Sequence, residues 1–377
     1  MRVGKVVLIL FFLTALSVGF ALGYYLNISR TAYEVISTSY IERLIANISN
    51  EVSTIRGLSF KEQPNVVIVN SSTVIATWGS EIPHDVVIFG EVLKMTLLAP
   101  KEYNISKSYS SLFGMWVAAS AGNTIYVVSD NLVVKDPLLH RVLAHELVHI
   151  LQYQYFSIPS PKSLDESLAI RSLIEGDADI VADTYVMRKG FGEVGKVSKL
   201  PLNDPYISIQ LIPYIFGSNF IAELLKVGGW ELVNKAYIEP PSSMKYVIFP
   251  EKYLNKELIF DVTNNVTCNV VYEDVLGPSY IYVMIGKYFN ESSALRISSF
   301  WVGDKITYCD DGVSRSLYWR VKFTSEETAK EFYKLFNAIA GVYGAVISDG
   351  KLRINELVID VEVSGDEVLV RSYALKW

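Results

Sequence analysis

His145 and His149 stand four residues apart around Glu146 in the run Leu143-Ala144-His145-Glu146-Leu147-Val148-His149-Ile150-Leu151-Gln152. At about 3.6 residues per turn the two imidazoles share one helix face, so both can reach a single ion with Glu146 beside them. A catalytic zinc site needs three protein ligands and keeps a fourth position for water, so one ligand is missing. Two packed or solvated histidines on an amphipathic helix would show the same spacing. The third ligand therefore decides the reading. Gln152 and Tyr155 stand where a metzincin would have Gly and His, which excludes that class. Glu166 already has a task as the acid of the capping box Ser163-Leu164-Asp165-Glu166. Glu175 has none, and it lies among apolar neighbours, where an unpaired carboxylate is costly to bury and a dication would remove the cost. Gly176 and Ala178 have almost no side chain, which would let this helix approach the first one closely. Asp179, one turn beyond Glu175, is placed to accept the free N–H of a ligating histidine and fix its tautomer. An exposed acidic stripe is the alternative for these acids. The complementarity of the two helices favours one Zn2+ per chain, held by His145, His149 and Glu175. His84 and His140 read as ordinary surface or packed residues.

The elements that must hold these residues are legible on either side. Asp136-Pro137 is a helix-start signal, and the helical pattern then runs to about Phe156. After Pro159-Ser160-Pro161 the capping box opens a second helix over 164–188. Further helices are expected over 31–56, 85–98, 208–226 and 229–238, the last ended by Pro240-Pro241. Val66–Val69, Val74-Ile75-Ala76 and Asn123–Val128 read as strands. Beyond about Lys256 the texture changes to strands at 305–310, 315–323, 343–348, 352–363 and 366–374 with a helix at 325–340, which suggests a domain boundary there. The fold class expected is α+β, a mostly helical domain with a small sheet over 27–256 and a smaller α+β domain over 257–377.

Of the 377 residues 50% are hydrophobic and 20% charged, with a net charge of −6, which argues against disorder. There is no basic patch interleaved with aromatics, so nucleic acid is not an expected partner. Part of the apolar excess lies at the N-terminus, where Arg2 and Lys5 precede a charge-free run from Val6 to Leu26. Its 21 residues, at about 1.5 Å each, match a hydrocarbon core of about 30 Å. A retained anchor in residues 1–26 is favoured over a cleaved signal, for which Ala21-Leu22-Gly23 would serve as the cleavage site. Positive residues stay cytoplasmic, which puts residues 27–377 outside the cytoplasm. Asn27, Asn47, Asn70, Asn104, Asn265 and Asn290 head N-x-[ST] sequons compatible with that face. Cys268 and Cys309 would be free to pair there, with two unpaired core thiols as the alternative.

HELVH with a helical glutamate 26 residues after His149 and Asp179 four beyond it resembles the gluzincin class of zinc metallopeptidases, in particular its thermolysin-type members. The wider run is similar to a family of largely uncharacterised prokaryotic metallopeptidases. It includes Glu175-Gly176-Asp177-Ala178, Gly228-Gly229-Trp230, Ala236-Tyr237, Pro240-Pro241-Ser242 and Pro250-Glu251-Lys252-Tyr253-Leu254. The likeness covers about residues 55–255 and extends more loosely through Trp301-Val302-Gly303-Asp304, Trp319 and Ala329-Lys330-Glu331-Phe332. It implies a zincin-like fold and hydrolysis of a peptide or protein substrate. His145, His149 and Glu175 would hold zinc, Glu146 would be the general base and Asp179 the acid behind a ligand. Pro213–Phe220 looks like a gluzincin helix after the third ligand, which makes Tyr214 a candidate oxyanion donor beside an ordinary role as a core tyrosine. No histidine follows His149 that could take that part. The strand Asn123–Val128 resembles the zincin edge strand that pairs with extended substrate. A catalytically inactive surface protein of the same fold, acting as an interaction module, is the alternative.

Overall fold

The computed structural model describes residues 38–79, 81–113, 116–131 and 137–375. The expected anchor over 1–26, residues 31–37 of the first expected helix, the Asn27 sequon and Asp136 lie outside the described residues. The protein is α+β. Its first part contains α1 (Thr38–Arg56), β1 (Asn65–Val69), α2 (His84–Met95), α3 (Ile105–Phe113), β2 (Ala118–Ala121) and β3 (Thr124–Val128). Three long helices follow, α4 (Pro137–Tyr155), α5 (Leu164–Arg188) and α6 (Pro205–Ile238), and then the short α7 (Met244–Ile248). The rest is β4 (Val270–Asp274), α8 (Gly277–Tyr288), α9 (Glu291–Ser299), β5 (Trp301–Asp310), β6 (Ser314–Phe323) and α10 (Glu326–Val342). Strands β7 (Val346–Ser348), β8 (Lys351–Ile354), β9 (Leu357–Ser364) and β10 (Glu367–Leu375) close the chain.

Local chemistry sets the ends of the site helices. Ser163 caps α5 by accepting from the Glu166 amide at 3.1 Å, and the Glu166 side chain accepts from the Lys162 amide at 2.6 Å, a capping-box variant shifted by one residue. Asp204 caps α6, with Pro205 at its first position. The two helices expected over 208–226 and 229–238 are one element with a break inside it, because Gly228 and Gly229 leave helical geometry, Gly229 at φ 60°. Val74–Ala76 is not a strand. Asn70 caps a helical turn there by accepting from the Thr73 amide at 2.8 Å, and that local bond overrides the β-branched composition.

The small sheet has the order β1-β3-β2, with β1 parallel and β2 antiparallel to β3. Asn123–Val128 is therefore not an edge strand, since β3 is paired on both sides and β2 is at the end. The second sheet is antiparallel in the order β4-β5-β6-β10-β9-β8-β7. The strand expected over 352–363 is two strands, β8 and β9, turned at Asn355, which takes φ 52°. Cys268 and Cys309 form a disulfide beside β4 and β5.

Two buried apolar clusters underlie these layers. One gathers α1, β3, α4 and the second half of α5. The other gathers the first half of α5, α6, α8 and the large sheet, so residues on both sides of Lys256 share one core. Helix α5 belongs to both clusters, and Glu175 lies where it passes from one to the other. Gly176 serves that passage differently from the expectation. A Cβ built on it would stand 2.2 Å from the Gly217 carbonyl carbon, so its bare face admits α6 and not α4.

Candidate metal centre

Packing of α4 against α5 brings three of the sequence candidates together. The ligand-capable atoms of His145, His149 and Glu175 all lie within 4.8 Å of one another. His145 Nε2 is 3.3 Å and His149 Nε2 is 3.5 Å from the same oxygen, Glu175 Oε2. A tetrahedral zinc with bonds near 2.05 Å separates its ligands by about 3.3 Å, so these contacts have the length of tetrahedral edges. His149 Nε2 and Glu175 Oε1 are buried without hydrogen-bond partners, and their lone pairs would be taken up by a dication held there. The residues present fit the metal that the sequence implies.

No protein-family model, no curated protein and no solved structure matches the chain.

Glu146 is wholly buried, and neither of its oxygens has a hydrogen-bond partner. Burial pushes its carboxyl pKa up, against the pull of His149 and His145. A carboxylate whose pKa is raised by burial holds a proton more tightly than a solvated one, which suits a proton acceptor. Glu175 is equally buried, yet the two histidines beside it overcome the cost of burial and hold its pKa below the usual value.

Asp179 lies where the sequence puts it, with Oδ1 3.0 Å from His145 Nδ1. Its other partner was not foreseen. Arg141, on α4 and 2% exposed, reaches Asp179 at 2.8 Å and Asp183 at 2.8 Å. Burial alone would lower the His145 pKa, but bonds to Asp179 and Glu175 outweigh it and raise it to about 9. Burial likewise works against the Asp179 charge, and Arg141 and His145 hold its carboxyl well below the usual range. The signal for Arg141 was present, because it stands one turn before His145 on the same apolar helix.

Tyr214 is buried on α6, three residues before the Gly217 contact with α5. It is not part of the three-ligand cluster. His84 opens α2, and His140 accepts or donates to Tyr185 at 3.0 Å, both outside the cluster.

Proposed function

We propose that the chain is a zinc metallopeptidase of gluzincin type, anchored by its N-terminal segment and acting outside the cytoplasm. The observation that carries this reading is the pair of contacts of tetrahedral-edge length from two imidazoles to one Glu175 oxygen. Held by His145, His149 and Glu175, a zinc ion supplies Lewis acidity, which makes water acidic and a carbonyl electrophilic near neutral pH. Glu146 would accept a proton from the attacking water on a buried carboxylate oxygen and would return it to the leaving amine. Asp179 keeps the His145 ring turned so that Nε2 faces Glu175. Tyr214 is the proposed donor to the developing oxyanion. The part first given to β3 passes to β2, the end strand beside α4, where an extended peptide would add its backbone.

A second reading has one observation in its favour. Glu146 and Glu175 are 0% exposed, and such closure suits a structural ion in a non-catalytic protein. Three ligands without cysteine argue the other way, since structural zinc sites are closed by four. Full-length protein in detergent separates the two, by metal analysis beside hydrolysis of an unfolded protein before and after chelation. Glu146→Gln should keep zinc near one per chain and lose at least about a hundredfold in hydrolysis. Glu175→Ala should lose the zinc and the activity with it. A parent with firmly bound zinc, no hydrolysis and no response to Glu146→Gln would hand the case to the structural reading.

A further inference from the structure

We propose that Gln152 is the positioning residue for His149, and that through Asp177 it ties the metal centre to Arg56 at the end of α1. His149 Nδ1 lies 2.6 Å from Gln152 Oε1. The orientation of that amide is not free. Its nitrogen donates to the Ile174 carbonyl at 2.9 Å and to Asp177 Oδ2 at 3.2 Å, and both are acceptors. Turning the amide over would set its oxygen against both of them, so the carbonyl must face His149. An amide oxygen only accepts. His149 Nδ1 therefore carries the proton, and Nε2 presents a lone pair 3.5 Å from Glu175 Oε2.

The support behind Gln152 is buried and charged. Asp177, 0% exposed, accepts from the Tyr237 hydroxyl at 2.8 Å and ion-pairs with Arg56 Nε at 2.7 Å. Arg56 also donates to Asn234 Oδ1 at 2.8 Å, and its guanidinium lies 4.4 Å from the Trp230 ring centroid. Burying an ion pair costs desolvation and is weak evidence of stability. Here it fixes one amide in one orientation, and that amide fixes one tautomer. The first described helix is thus tied to the metal centre through Arg56.

The consequence for zinc rests on the metal-site reading above, whereas the tautomer does not. Only four histidines are present, so nitrogen-15 spectra of histidine-labelled, metal-free, full-length protein at mildly alkaline pH can resolve the ring of His149. The expected result is a protonated Nδ1 and a bare Nε2. The opposite tautomer, or an even mixture, overturns the proposal without any mutant. Gln152→Met keeps the length of the side chain and removes its polar atoms. It should mix the tautomers and lower zinc affinity about 10–100-fold while circular dichroism shows the fold retained. An unchanged tautomer in Gln152→Met also overturns the proposal. A parent with the expected tautomer that takes up no zinc overturns the proposed function and leaves the positioning role of Gln152 standing.

Discussion

The two histidines of the centre are supported by different chemistry. Behind His145 a carboxylate touches the ring, with Asp179 3.0 Å from Nδ1 and Arg141 behind it at 2.8 Å. Behind His149 an amide touches the ring, and the Asp177–Arg56 pair stands one residue further back. Both chains end in a buried aspartate–arginine pair. On the first side the charge acts on the ring itself, raising the His145 pKa to about 9 against the effect of burial. On the second side an amide separates ring from charge, so the geometry is fixed without a formal charge on the touching group. Orientation and basicity, usually supplied together by one carboxylate, are separable functions.

The largest effect should come from breaking the charge pair that stands furthest from the ring. Arg56→Met leaves Asp177 with no cation in a site that is 0% exposed, a loss of about 3–5 kcal/mol. Arg141→Met should cost clearly less, because His145 lies 3.0 Å from the same carboxylate and can carry the positive charge instead. Denaturant unfolding of the two metal-free variants compares them directly. Equal losses would show that the His145 side has no such reserve.

The same contrast separates what was legible in the sequence from what was not. His145, Glu146, His149, Glu175 and Asp179 lie within two helices at spacings of one turn, so periodicity alone placed each on a face. The boundaries of α5 followed from Ser163 and Glu166, whose hydrogen bonds are local. Arg56 and Asp177 are far apart in the chain, and no local period links them. Central or edge position is likewise long-range: β3 reads the same whether or not β1 pairs with it. Gly176 was recognised as a close-approach residue, but sequence could not say that Gly217 was the partner. In the C-terminal part α8, α9 and β4 were not expected, since their short apolar stretches carry no period that separates helix from strand.

A smaller effect tests whether the two ring supports can be made alike. Asp179→Asn keeps an oxygen for His145 Nδ1 and removes the charge, which turns the first side into a copy of the second. Ring orientation should survive and basicity should not. Zinc affinity should therefore fall towards the low end of the usual range, about tenfold, or about 1.4 kcal/mol. Competition with a chelator of known affinity measures it. A hundredfold fall would mean that charge matters more than orientation at His145.

A last contrast lies at the other end of α5, where the chain buries carboxylates that have no ion-pair partner among the described residues. Asp165 accepts from the Met244 amide at 2.9 Å, and Asp274 accepts from the Leu164 amide at 2.8 Å. Burial pushes their pKa values up, Asp165 to about 8 and Asp274 to about 6. Asp179 is shifted the opposite way. Its contribution to stability is present above the ordinary carboxylate range and is lost in acid. The Asp165 contribution is complete below that range and fades as pH rises through about 8, because the folded state holds the proton more tightly than the unfolded chain. One such group changes stability by at most about 1.4 kcal/mol per pH unit. Asp165→Asn imitates the protonated acid at every pH, so its melting temperature should fall less than the parent's between pH 6 and pH 9, with the two curves closest at the acid end. If the curves stay parallel, Asp165 is already ionised in the folded protein at neutral pH, and the two ends of α5 differ less than their surroundings imply.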